Sequence, residues 1–260
     1  MENRLRTLFK KKSESILSIF YTAGFPTHKD TVAIAQYLEA AGADIIEIGI
    51  PFSDPVADGP TIQASNKVAL DGGMTLALLL EQVKEIRKQV KLPIVLMGYL
   101  NPVMQYGVER FITDAKAAGA DGLILPDLPL AEFQMHYQTK MVAEDLCMSF
   151  LISPTTSEER IYKIDAASTG FVYAVSASST TGAKGDFQPE QLAYFEKLLK
   201  LKMQNPHLIG FGIHDHQTFT KACEYGSGAI VGSAFISMLE KSTDLEKDIH
   251  LFVNRLKKGK

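Results

Sequence analysis

Apolar residues arrive along this chain in short runs, separated by longer stretches of helical period. Eight runs read as strands, at 16–21, 44–49, 93–97, 122–125, 148–152, 170–175, 208–211 and 229–231. Their hydrophobicity is nearly continuous, with no strict alternation, which is the pattern of parallel strands covered on both faces. Between them, Leu76, Leu79, Leu80, Val83, Ile86 and Val90 form a stripe at steps of three and four, and Val108, Phe111, Ile112 and Ala115 form another. Thr27 with Asp30, and Thr156 with Glu159, have the spacing of capping boxes, and Pro189 suits a first helical turn. Leu245, Ile249, Phe252, Val253 and Leu256 close the series. Before the first strand, Leu5, Leu8 and Phe9 sit at helical spacing and predict an extra N-terminal helix.

An internal echo supports a repeated unit. Ala40-Ala41-Gly42-Ala43-Asp44 and Ala117-Ala118-Gly119-Ala120-Asp121 each lead into a strand, and Tyr225-Gly226-Ser227-Gly228-Ala229 is a looser third copy. Glycine there suits a left-handed helix cap. Eight β-then-α units in 260 residues match the arithmetic of a (β/α)8 barrel. A doubly wound open sheet shares the same periodicity and stays open as an alternative. No Pro/Gly/Ser-rich linker divides the chain, so one barrel domain over 1–260 is the expectation.

Composition narrows the function classes. The chain is 46% hydrophobic and holds 27 basic against 30 acidic residues, net −3, so it lacks the basic field that non-specific nucleic-acid binding needs. Two cysteines, Cys147 and Cys223, supply no disulfide framework, which fits a reducing cytoplasm. The basic start and the apolar stretch 16–21 lack a cleavage-site pattern after them, and no run reaches about 18 apolar residues, so neither a signal peptide nor a spanning helix is expected.

In a barrel of this kind, reactive groups collect at the C-terminal ends of the strands. The second strand ends in Glu47-Ile48-Gly49-Ile50-Pro51-Phe52-Ser53-Asp54-Pro55-Val56-Ala57-Asp58-Gly59-Pro60. Glu47 falls inside an apolar run, where a carboxylate is costly unless paired or useful. With the loop carboxylates Asp54 and Asp58 it suggests an acid–base pair; a buried, backbone-satisfied Glu under a polar loop is the bland alternative. Gly210-Phe211-Gly212 and Gly232-Ser233, at the ends of strands seven and eight, stand where many barrels bind phosphate, the latter directly before a helix. The polar stretch 176–185 suits a lid. His214-Asp215-His216 lacks a third metal ligand nearby and reads as a polar helix start, and no lysine lies in a strand to form a Schiff base.

These residues resemble the tryptophan synthase α-subunit family over nearly the whole chain. The most specific stretch is 47–63, supported by Thr22-Ala23-Gly24-Phe25-Pro26, Pro126-Asp127-Leu128-Pro129, Thr181-Gly182, Gly210-Phe211-Gly212-Ile213 and Gly232-Ser233-Ala234. The resemblance implies a lyase that reversibly cleaves indole-3-glycerol phosphate to indole and glyceraldehyde 3-phosphate. It implies Glu47 as general acid–base and Asp58 as the partner of the indole N–H. It further implies an indole slot from Phe20, Met97, Ile124 and Leu151, Tyr173 beside Glu47, and Thr181 ordering the lid. Phosphate would rest on Gly182, Gly212, Gly232 and Ser233. No metal or organic cofactor is implied for this subunit; pyridoxal phosphate belongs to the β subunit that receives indole in an α2β2 complex. Asp54, Pro55, Asn101 and Pro129 fall where the family meets that partner. One departure is the loop 176–179, Ser176-Ala177-Ser178-Ser179, where many members carry an arginine. The alternatives are another phosphate-binding barrel enzyme of amino-acid biosynthesis, a catalytically weak regulatory subunit that activates a β partner, and a sugar-phosphate binding protein without turnover.

Overall fold

The computed structural model describes residues 2–176 and 187–259. Its strands are β1 (Ile16–Thr22), β2 (Ile45–Gly49), β3 (Ile94–Met97), β4 (Gly122–Ile124), β5 (Cys147–Met148), β6 (Leu151–Ile152), β7 (Val172–Val175), β8 (His207–Gly210) and β9 (Gly228–Val231). All pair in parallel, in the order β5-β4-β3-β2-β1-β9-β8-β7-β6. The two ends of that order are halves of one crossing. The Ser149 N–H donates to the Leu123 carbonyl on β4, while the Phe150 carbonyl accepts from the Tyr173 N–H on β7. The sheet therefore closes into a (β/α)8 barrel, and the predicted strand 148–152 is one stave in two short pieces.

Each predicted strand is present within two residues at either end. The helix over the Leu76 stripe is Leu76–Arg87, and that over the Val108 stripe is Val108–Ala118. The capping assignments need correction. Asp30 starts its helix and accepts from the Thr27 N–H and hydroxyl, so Thr27 is not the cap. Ser157, not Thr156, caps Glu158–Ala167, because the Thr156 hydroxyl is spent accepting from the Ser153 N–H in the preceding turn. Pro189 does open its helix, with a Gln188/Gln191 capping box. The helices Pro60–Asp71 and Leu100–Tyr106 carry no apolar stripe to announce them; the first buries Ser65, Asn66 and Ala69.

Successive strand residues alternate between two cores. Leu17, Ile19, Ile46 and Ile48 face the helices. Ile16, Ile45, Val95, Ile124, Cys147, Phe171, Tyr173, Leu208 and Ile230 fill the barrel interior. The helix Arg4–Lys11 stoppers the N-terminal end: Leu5 is fully buried in the interior cluster, against Gly122 and Gly170 at the starts of two staves. Asn3 caps that helix and reaches the carbonyls of Asp121 and Asp145.

The echoed segments share a task. Gly42 and Gly119 are both left-handed caps, φ +91° and +101°. The aspartates that follow each accept a backbone N–H from the neighbouring strand, Asp44 from Leu17 and Asp121 from Ile94. Gly226 departs from the pattern, with extended backbone at φ −147°. Asp121 also binds Arg87 at 2.9 Å and Arg4 at 3.2 Å. Burial lowers the Arg87 pKa to about 10 despite that partner. Removing one member of a buried ion pair strands the other. Asp121→Ala is therefore expected to cost about 3–5 kcal/mol in urea unfolding. Asp44→Ala, whose partners Lys12 and Lys257 both reach water, is expected to cost less.

Candidate active site

The C-terminal mouth of the barrel holds a cavity of about 470 Å³, counting the part open to solvent. Its apolar wall includes Phe20, Ile50, Met97, Leu151 and Phe211; its polar groups are Asp58, Asn66 and Tyr99. That size and mixture fit a small ligand with one flat apolar part and few polar handles. The wall is shaped by close approaches. A side chain on Gly49 would meet the Phe20 ring at 2.6 Å, and one on Gly98 would meet Ile50 at 2.7 Å, so glycine at both strand ends lets these side chains lie across the mouth.

Glu47 lies in the interior on β2 with no exposure to solvent. One carboxyl oxygen, Oε1, accepts from the Ser18 hydroxyl at 2.7 Å. The other, Oε2, has no partner among the described residues. Burial without a counter-charge raises its pKa to about 7, and the Ser18 hydrogen bond opposes the rise only in part. Tyr173, opposite on β7, is 5% exposed and packs edge-on to Phe211, with ring centroids 6.4 Å apart. Burial and the charges of Glu47 and Asp58 hold its phenol protonated.

Asp58 stands two residues before the helix Pro60–Asp71, on a loop pinned at several points. The Ala57 N–H donates to the Tyr99 hydroxyl at 3.0 Å, Gln63 Nε2 donates to the Asp58 carbonyl at 2.7 Å, and Ser65 shares a hydrogen bond with Thr22 on β1. Burial raises the Asp58 pKa to about 6, against hydrogen bonds from Tyr99 and Asn66 that favour the carboxylate. The same burial, with the Asp58 charge, raises Tyr99 to about 12. Two carboxyls thus titrate near neutrality at one mouth, the condition for proton transfer in both directions.

The glycines of β8 and β9 form a second feature. Gly210 pairs with Ile230, so Gly212 and Gly232 stand at the same height on neighbouring staves. Phe211 and Gly212 are successive left-handed residues, φ +70° and +78°, and the Ser176 hydroxyl donates to the Phe211 carbonyl at 2.7 Å. Gly232 is the N-cap of the helix Ser233–Lys241, which no side chain caps. Backbone N–H groups in that setting suit an anion. The Phe20 ring lies about 3.5 Å from where a Gly232 side chain would begin, so cradle and cavity share a wall.

Of the predicted indole-slot residues, Phe20, Met97 and Leu151 line the cavity. Ile124 is fully buried in the interior cluster on β4, paired in register with the cavity residue Met97 on β3. Thr181 and Gly182 lie outside the described residues. Asp54, Asn101 and Pro129 are exposed and Pro55 half-buried; Asp54, Pro55 and Pro129 lie on the loops after β2 and β4, and Asn101 in the first turn of the helix Leu100–Tyr106 after β3. Asp215 caps the helix His216–Tyr225, and among the described residues no cluster of metal-ligand side chains exists. Sequence reading missed Ser18, Asn66 and Tyr99. Tyr99, two residues past a strand end, had a positional signal; Asn66 had none, since its helix has no stripe.

A family model for the tryptophan synthase alpha chain matches residues 7–258. The tryptophan synthase alpha chain of Parabacteroides distasonis is 47% identical over 98% of this chain and 99% of its own, and that of Flavobacterium psychrophilum 49% identical over 89% and 92%. Among solved structures, tryptophan synthase subunit alpha from Legionella pneumophila superposes with TM-score 0.88 at 34% identity, covering 99% of this chain and 98% of its own. A chain of Mycobacterium tuberculosis tryptophan synthase superposes with TM-score 0.87 at 32% identity, covering 100% and 98%. With the closed barrel, the two mouth carboxyls and the glycine cradle, the chain belongs to the tryptophan synthase alpha chain family.

Proposed function

We propose that this chain cleaves indole-3-glycerol phosphate to indole and glyceraldehyde 3-phosphate by proton transfers centred on Glu47 and Asp58. The reaction is that of the alpha chain family, a carbon–carbon lyase step. The observation that carries the assignment of residues is the buried Glu47 carboxyl, titrating near 7, with one oxygen unpartnered.

Cleavage needs a proton on indole C3, so that the ring can leave with the electrons of the carbon–carbon bond. It also needs the adjacent glycerol hydroxyl to lose its proton, so that its electrons form the aldehyde carbonyl. Glu47 delivers the first proton as the acid and takes the second as the carboxylate, ending as it began. Asp58 accepts the indole N–H and opposes the positive charge that C3 protonation puts on the ring. Phe20, Met97, Ile124 and Leu151 hold the ring flat in the apolar part, and Tyr173 closes the space beside Glu47. The phosphate sits on the N–H groups of Gly212, Gly232 and Ser233; the expected parts of Gly182 in binding it and of Thr181 in ordering the lid fall outside the described residues. A positioned acid–base group is worth about 10²–10⁴-fold in rate.

As an alpha chain it pairs with a beta subunit, which receives the indole; we propose an α2β2 complex whose contact includes Asp54, Pro55, Asn101 and Pro129. Every step above moves protons, so the reading asks for no cofactor in this subunit and leaves pyridoxal phosphate to the partner. No helix among the described residues is long and apolar enough to cross a membrane; a cytoplasmic location and one catalytic domain over 1–260 complete the reading.

The direct test is glyceraldehyde 3-phosphate release from indole-3-glycerol phosphate by the purified chain, alone and with a β subunit. Turnover that rises with β is expected; binding without turnover in both conditions would instead indicate a regulatory subunit. Glu47→Gln is expected to abolish cleavage while leaving substrate binding largely intact. It should also stabilise the protein, with a defined sign. A carboxyl whose folded pKa lies above its unfolded value destabilises the fold as pH rises from about 4.5 to about 7. The gain should thus be near zero at pH 4 and on the order of 3 kcal/mol at pH 8, read from denaturant unfolding at the two pH values. Asp58 works as the carboxylate, so kcat/KM, which follows the free enzyme, should fall as pH drops through about 6. Tyr99→Phe removes a hydrogen bond to that carboxylate and should move the limb to higher pH, whereas Asp58→Asn should be severely impaired at every pH.

A further inference from the structure

Ser18 is polar, fully buried, and set in a strand whose other residues are apolar except Thr22 at its end. On β1 it shares the inward face with Ile16 and Phe20. The register pairs Ser18 with Ile45 and Phe20 with Glu47. Ser18 therefore stands two residues nearer the N-terminal, stoppered end of the barrel than Glu47. Its hydroxyl reaches up to Oε1 at 2.7 Å, while Oε2 is left without a partner.

We infer that Ser18 is a positioning residue for the acid–base carboxyl: it holds Oε1 from the closed side of the barrel, so that Oε2 is the oxygen that exchanges protons with the substrate. The inference rests on the reading of Glu47 given above. A carboxyl free to turn presents either oxygen, and only one rotamer meets a fixed substrate. A hydroxyl donating to Oε1 occupies that oxygen and steers the proton to Oε2 in the acid form. In the carboxylate form the same bond remains and favours the charge. Among the described residues no other group supplies this hold. Glu47's register partners, Phe20 on β1 and Val95 on β3, are apolar. Tyr173 on β7 senses the charges of both Glu47 and Asp58, and among the described residues no cation offsets Glu47.

The test is steady-state cleavage over a pH series for Ser18→Ala, Ser18→Thr and Ser18→Cys, in the chain alone and with its β partner. Glu47→Gln serves as a control, and thermal unfolding checks each variant. A hydrogen bond to a charged group is worth about tenfold or more in an equilibrium. Ser18→Ala should therefore lower kcat roughly tenfold, leave KM within about twofold, and move the Glu47 limb of the pH profile up by about one unit. Ser18→Thr keeps the hydroxyl and should return the limb to its wild-type position; Ser18→Cys, a weaker donor, should fall between. An unmoved limb in both Ser18→Ala and Ser18→Cys overturns the proposal, even if kcat falls, because a packing defect lowers activity without retuning the carboxyl. If Ser18→Ala does not fold, the limb in Ser18→Cys decides alone. Normal turnover by Glu47→Gln would sink the reading of Glu47 itself, whereas an inactive Glu47→Gln beside an unaltered Ser18→Ala sinks only the role of Ser18.

Discussion

A carboxyl group placed in a dry interior is held there against its preference for water, and in this barrel Glu47, with no cation beside it among the described residues, is such a group. The arrangement persists because the scaffold around it is over-determined. Val95 stands level with it on β3, and below it the interior is filled by Ile16 and Ile45 and stoppered by Leu5. Outside, Ile46 and Ile48 lock β2 against the helices. A strand buried on both faces cannot slip by one residue without sending its outward apolar set into the interior, so Glu47 has nowhere else to go. The stability forgone at this position is of the kind that functional sites commonly exact from the rest of a fold.

The charges that the barrel can neutralise are kept at the opposite end. Asp44 and Asp121 stand at the starts of strands, where each accepts a backbone N–H and a basic side chain. Those at the mouth meet no basic side chain among the described residues: Glu47 meets a serine, Asp58 a tyrosine and an asparagine. One end of the barrel thus spends its carboxylates on structure, and the other leaves them to titrate near neutrality. The division follows from the fold, since strand starts meet the helix ends that bring lysine and arginine, while strand ends open on loops.

The anion cradle and the cavity are joined by the same geometry. Parallel staves in register bring Gly212 and Gly232 level, and Phe20 on the next stave lies under the second of them. A ligand with a flat apolar body and a phosphate spans the two without any loop having to bring them together. The loop from 53 to 58 bears Asp58 together with Asp54 and Pro55, two of the four residues proposed to meet the β partner, so in that proposal one short stretch of chain faces both the ring nitrogen and the partner.

Much of this was legible in the sequence. Eight runs without alternation imply buried parallel strands, and Glu47 inside one of them is conspicuous because an apolar run has no ordinary reason to include it. Gly42 and Gly119 announced their left-handed caps, since only glycine takes that conformation at low cost. What periodicity cannot express is which residues meet across the barrel. It gave no sign that Ser18 reaches Glu47 from a neighbouring stave, or that Tyr99 and Asn66 converge on Asp58. It placed Thr27 and Thr156 as caps because spacing alone does not show which hydroxyl is already engaged in a turn. Local pattern records burial, and burial is a property of each residue separately. The titration of Glu47 and Asp58 depends on distances between residues far apart in the chain, and closure of the barrel set those.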